Sequence, residues 1–213
     1  MGRGRIRIAF RDLIRGGQLP RKTDGFNANS IPNANPAVFR ELKAGVSKVE
    51  SRIGIDLPQS NLGFTTDGDF LGVHFGSGDS RTVLLQKSFF NRNSDQIIKD
   101  LQNAFNSKWA VNSPTPLQYV IVHELGHSIW VNHVEGNIRE MARLNRGIRG
   151  LYRAFVRDGA RGRIPISRYA NANINEFFAE TFVKAIIGRN QNKYSRQLLK
   201  LLRENKDLLK KYR

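Results

Sequence analysis

The stretch "HELGHSIWVNH", residues 123–133, holds three of the chain's four histidines, and its reading decides the fold. On a helix, His123 and His127 differ by about 40° in azimuth, so both rings can reach one ion. Glu124 sits one step round, within reach of a water on that ion. Zinc lowers the pKa of such a water to about 7, and a neighbouring carboxylate takes the proton as the water attacks a carbonyl. The preceding "LQYVIV", residues 117–122, makes this helix apolar and buried, and buried His and Glu need a reason to be there.

The third ligand is open at this point. His133 stands ten residues after His123, where metzincins carry their third histidine, but their pattern also needs a glycine three residues after the second histidine. Trp130 occupies that place and favours a helix that runs on, which turns His133 about 120° away from His127. Met141, the only internal methionine, lies in a helical pattern and not in a downstream turn. His133 therefore reads as a helix-end or surface histidine. The rival is "ISRYANANINEFFAETFVKA", residues 166–185. Glu176 and Glu180 share one face of a helix that Phe177, Phe178, Phe182 and Val183 make apolar. A solvated face is the plain alternative, yet aromatics between two acids favour a metal and its surroundings.

The residues from His123 to Val183 resemble the catalytic domain of the anthrax lethal factor family of zinc peptidases. In that family two helical histidines are joined by a glutamate from a later helix, within a Tyr, six residues, then Glu-Phe-Phe-Ala-Glu-x-Phe. Here Tyr169 precedes Glu176 by seven positions, in "EFFAETF", and 49 residues separate His127 from Glu176. The resemblance implies Zn2+ held by His123, His127 and Glu176, with Glu124 as general base. It implies Tyr169 as the hydroxyl that steadies the oxyanion or protonates the leaving amine, and Glu180 as acceptor for a ligand imidazole. It covers about 60 residues and implies a metalloendopeptidase acting on a protein or peptide that lies along an edge strand. Related domains occur in phage virion proteins and bacterial toxins, and the phage setting, with virion proteins as partners, suits a basic chain without cysteine better.

Working outward, "FNANSIPNANP" and the residues before it read as linker, and residues 1–22 carry Arg3, Arg5, Arg7, Arg11, Arg15, Arg21 and Lys22 against Asp12 alone. Residues 1–36 are thus expected to be a basic arm and linker, with "RIRIAF" as a half-buried strand, and 37–213 one zincin-like domain. The chain's 213 residues suffice for one well-filled core. A helix is expected from Ala37 to Ile53. "NLGFTT", "FLGVHFG" and "TVLLQKSFF" follow as antiparallel strands, with "GSGDS" as a hairpin connection and His74 a surface or packing residue. After Ser94 all is helical: a helix capped by Ser94, one starting at Ser113, about 20 residues from Asn137, one from Asn173 to Ile187 and a last from Ser195. The class is α+β, zincin-like: a small twisted, mainly antiparallel sheet on an active-site helix, then a helical C-terminal half.

The absence of cysteine removes disulfides and thiolate ligands, so a metal must be held by imidazole and carboxylate. No run approaches the 18 apolar residues of a membrane span, and no run of seven marks a secretory signal, so a cytoplasmic or virion-associated protein without a membrane partner is expected. The formal charge of +17 favours polyanions. Arg139, Arg143, Arg146, Arg149, Arg153 and Arg157 fall on one arc of a helix, opposite Ile138, Met141, Leu144, Ile148, Leu151, Tyr152, Phe155 and Val156. With Glu140 the one nearby acid, the stripe and the basic C-terminal helix are expected to contact nucleic acid phosphates or another polyanion. A nucleic-acid-associated virion structural protein with a retained zincin fold is the reading from another class.

Overall fold

A computed structural model describes residues 23–57, 61–66, 71–77, 80–135, 139–160 and 166–211, with the backbone alone at 23, 74–77, 80–82, 132, 133, 135 and 211, His74 and His133 among them. Residues 1–22, where an arm with "RIRIAF" as a strand was expected, and residues 161–165 and Ile138 lie outside the described residues. The class is α+β, with strands early and helices after them. β1 (Thr23–Gly25), β2 (Leu62–Thr65), β3 (Gly72–Ser77) and β4 (Ser80–Gln86) form one sheet in the order β1-β2-β4-β3. The sheet is mixed: β1–β2 and β3–β4 are antiparallel, but β2 and β4 run parallel, contrary to the reading of successive hairpins. The parallel pair arises because β3 docks on the far side of β4, with Ser77 opposite Ser80, and leaves β2 the inner edge.

Two further expectations are corrected here. Residues 23–25, read as linker for their Gly and Asn neighbours, add a strand to β2, and Ile31 nearby is buried. Residues Lys87–Phe90, read as the end of a strand, form a helical turn, α2, that buries Phe89 and Phe90 together against the core.

The first long helix, α1 (Pro36–Ile53), starts where the Asn35 side chain accepts from the Ala37 N–H and Pro36 fits the first turn; it stops at Gly54, whose φ of 81° suits glycine. α3 (Ser94–Asn106) is capped by Asn93 and not by Ser94, which is its first helical residue. α4 (Pro116–Ser128) begins at Pro116; Ser113 bonds instead to Thr115. α5 (Ala142–Gly159), α6 (Ile174–Ile186), α7 (Lys193–Glu204) and α8 (Lys206–Lys211) complete the chain, α7 with a reciprocal cap between Asn192 and Ser195.

α4 is the centre of the molecule. Every residue from Leu117 to His127 is buried, because α1, α3, α6 and strands β3 and β4 surround it. A helix apolar all round belongs in such a place, and its polar members must find partners there. Gln118 does so outside the histidine cluster, accepting from Lys48 Nζ at 2.8 Å and donating to Glu41 Oε2 at 2.7 Å. α1 approaches closely at Gly45, where a Cβ would stand 2.7 Å from the Ile121 side chain.

Candidate metal centre

After Ser128 the helix does not end: Ile129–Glu135 continues it as a π-helical segment. Trp130 explains why the chain does not turn away. Its indole is fully buried, stacks on Phe178 at 5.4 Å and donates Nε1–H to Asn175 Oδ1 at 2.7 Å. This bond ties the segment to the first turn of α6, where Asn173 caps the helix by accepting from the Glu176 N–H at 2.9 Å. α6 lies close against α4 where Gly126 faces Ala179, a Cβ on Gly126 being 3.1 Å from the Ala179 Cα. Two small residues thus set the helix separation, and they sit between the histidines and glutamates they bring together.

His123 Nε2 and His127 Nε2 are 3.0 Å apart, and Glu176 Oε2 lies 3.3 Å from the first and 3.4 Å from the second. All three residues are buried, and together they form a group able to hold a metal ion. Bonds of about 2.0–2.1 Å in tetrahedral coordination place ligand atoms about 3.3 Å apart, so the triangle has the right edges. Glu176 Oε2 makes no well-formed hydrogen bond, although it is buried, which also fits an atom kept for a cation. Its other oxygen, Oε1, accepts from the Tyr169 hydroxyl at 2.7 Å.

Glu180 backs the cluster. Its Oε2 accepts from the Val111 N–H at 2.6 Å, and its Oε1 accepts from the Tyr119 hydroxyl and stands 3.0 Å from His123 Nδ1. A proton on Nδ1 leaves the Nε2 lone pair for an ion, the usual use of a carboxylate behind a ligand imidazole. Burial and the Glu180 charge raise the Tyr119 hydroxyl well above its ordinary pKa and keep it a donor. Burial alone would lower the His123 imidazolium, but Glu176 and Glu180 outweigh it and hold its pKa well above the usual value. For Glu176, burial pushes upward, while the two imidazoles outweigh it and hold the carboxyl far below the usual carboxylate range. Without an ion the cluster is thus a histidine–carboxylate network. With neutral imidazoles the buried Glu176 carboxylate has no charge beside it to offset its own, and a cation in the triangle supplies one.

Glu124 is buried against β3 at Gly72. A Cβ at position 72 would meet Glu124 Cγ at 2.4 Å and Cδ at 2.9 Å, so the strand approaches this carboxylate only because it carries no side chain there. Tyr169 begins a short 3-10 turn, Tyr169–Asn171. Its ring stacks on His123 at 5.9 Å and on Trp109 at 5.5 Å. Two backbone bonds, Arg168 N to Lys108 O and Tyr169 N to Trp109 O, both 2.9 Å, fix the turn.

The structure therefore brings together His123, Glu124, His127, Tyr169, Glu176 and Glu180. Tyr119, Val111, Gly72 and Trp109 were missed by sequence reasoning. Tyr119 had a signal, since 119, 123 and 127 form one ridge of the helix. Gly72 had another, as a glycine inside a strand marks close backbone approach. Trp109 and Val111 had none.

The arginine stripe is only partly free. Arg139, Arg143, Arg146, Arg153 and Arg157 are exposed, but Arg149 is half-buried, donating to Asn145 Oδ1 at 2.8 Å and lying over the Trp130 ring. Arg149 is a packing residue because Trp130 projects toward α5 from the π-helical segment. On the opposite side, Met141, Leu144, Ile148 and Phe155 are buried, whereas Val156, expected in the core, is 49% exposed, because it is Phe155 and Asp158 on either side of it that meet Tyr194 of α7. No helix among the described residues is long and apolar enough to cross a membrane.

Compared with known protein families, with curated proteins and with solved structures, the chain matches none.

Proposed function

We propose that the chain is a zinc-dependent metalloendopeptidase with a zincin-like fold. The observation that carries this reading is the triangle of His123 Nε2, His127 Nε2 and Glu176 Oε2, with the buried carboxylate of Glu124 one residue from the first ligand. A purely structural metal has no use for Glu124. Imidazole and carboxylate donors in this number suit zinc with a fourth place open. Zinc when bound supplies Lewis acidity and an activated water. Glu124 then accepts the proton of the attacking water and passes it to the departing amine. Tyr169, held by its stack on Trp109, donates its hydroxyl to Glu176, and turning that one proton from Glu176 to the carbonyl oxygen lets it meet the charge developing there. Glu180 and Tyr119 hold the His123 ring in its working tautomer. The edge position of β3, beside Glu124, suits a substrate laid alongside it as an added strand.

The test is digestion of a peptide library by the zinc-loaded protein and by Glu124→Gln. Wild type is expected to cleave, and the variant to lose about 10²–10⁴-fold in turnover with zinc content unchanged. Equal cleavage by both proteins, or none by either, would overturn the reading. A subtler expectation concerns Gly72→Ala. Its new methyl must displace Glu124, and misplacement by about 1 Å costs about 10²-fold in rate. Zinc content should hold while kcat falls; an unaffected kcat would mean that Glu124 does not act from this position.

The exposed arginines support a partner role for the same chain, contact with a polyanion such as nucleic acid in a virion. Arg143, Arg146 and Arg153 present charge on α5 away from the metal ligands. Changing all three to Gln is expected to weaken DNA binding and make the slope of log K against log salt shallower by about 2.7 if each meets a phosphate. Cleavage of a short neutral peptide should not change. DNA binding that is absent at low salt, or identical in the variant, would make the stripe a solvated face.

A further inference from the structure

The end of α3, the chain entering α4 and the end of α6 border an open cleft of about 510 Å³. Gln102, Asn106, Asn112, Lys184, Arg189 and Asn190 line it, and no acid does. Each offers at least one N–H donor, and among the described residues none of these side chains has a hydrogen-bond or ion-pair partner. Lys184 is the telling member. It is half-buried, and burial pushes its ammonium pKa down, the mark of a charge removed from water without compensation. The acid one turn before it, Glu180, would be its natural i,i+4 partner, but both Glu180 oxygens are taken by Val111, Tyr119 and His123.

We propose that this cleft is a binding site for a small phosphorylated molecule, its phosphate held by Lys184 and Arg189. A ligand with an anionic end is favoured, because Lys184 and Arg189 bring two positive charges and no acid lines the cleft, while the Gln and Asn amides can donate to the same group. A phosphate offers more acceptor oxygens than a carboxylate and suits a point charge beside a guanidinium fork. The volume lies within the roughly 300–1,000 Å³ of small-molecule clefts, well beyond a bare anion. Phe105, Pro114 and Pro116 give one wall apolar character for the rest of the molecule. The site differs from the arginine stripe, where exposed cations lie on a convex helix face. It also touches the metal centre from behind, since Asn112 follows Val111 and Phe105 packs edge-on against Tyr119 at 5.2 Å.

Calorimetric titration of the zinc-loaded full chain with adenosine monophosphate, inorganic phosphate and adenosine tests this directly. The monophosphate is expected to bind one to one and saturably, phosphate more weakly, and adenosine not at all. Lys184→Gln combined with Arg189→Gln should weaken the monophosphate at least tenfold, and the single, exposed Arg189→Gln at least threefold if the double variant fails to fold. The Arg143, Arg146 and Arg153 to Gln variant should bind as wild type does. Absence of saturable binding, equal binding by adenosine, undiminished binding in the Lys184 and Arg189 variants, or loss in the stripe variant would each overturn the proposal.

Discussion

Glu176→Ala is expected to abolish stoichiometric zinc binding, while His133→Ala leaves it intact. Glu176 supplies one corner of the ligand triangle and so two of its edges, and no other described residue joins the two histidines in a group able to hold a metal. Removing it also leaves two imidazoles with less negative charge to hold a cation. Glu180→Ala should act in the same direction but less severely, by about 10–100-fold in affinity, the usual cost of losing the group behind a ligand histidine. Elemental analysis after dialysis separates the three variants. Zinc kept by Glu176→Ala and lost by His133→Ala would put the third ligand on the helix itself, as in metzincins, and refute the triad.

Metal removal should also cost a large part of the protein's thermal stability. An ion present at about 1,000 times its Kd stabilises the folded state by about 4 kcal/mol. For a chain of this size each kcal/mol moves Tm by about 2–4 °C, so a chelator is expected to lower Tm by about 8–16 °C. Glu176 sets the direction, because removing the cation leaves its buried carboxylate with the imidazoles alone to offset its charge. Calorimetric scans with and without chelator, repeated on Glu176→Ala, check this. The variant should lose the difference between the two scans, and a chelator effect of equal size in the variant would place the stabilising ion elsewhere.

Much of the centre was legible in sequence because its information is local. His123, Glu124 and His127 declare themselves by helical spacing, as do Glu176 and Glu180, and the apolar residues around both sets announce burial. What joins the sets was not legible: the facing of Gly126 and Ala179, the Trp130–Asn175 bond and the reach of Val111 to Glu180 are contacts between distant segments. The strand β1 escaped for a related reason, since three residues in a Gly- and Asn-rich stretch have no periodicity and pair only because β2 offers an edge. The parallel β2–β4 pair is likewise a property of topology, which alternation within a strand does not encode. Arg149 misled because charge is visible in sequence and a neighbouring indole in another element is not.

The Gly126–Ala179 contact has a consequence for kinetics. It joins two helices packed through Phe178, Phe182 and Trp130, side chains that make no use of the ligand atoms. Bringing residue 126 to residue 179 requires closure of a long loop, which is the slow part of assembly, and an ion meets its three ligands only when that closure is over. A metal ion held by these three residues is therefore expected to act after the folding transition state. Refolding from denaturant should run at one rate with or without the metal, and unfolding should slow in proportion to the whole of the binding energy, making the ion a brake on departure from the native state and no help in reaching it.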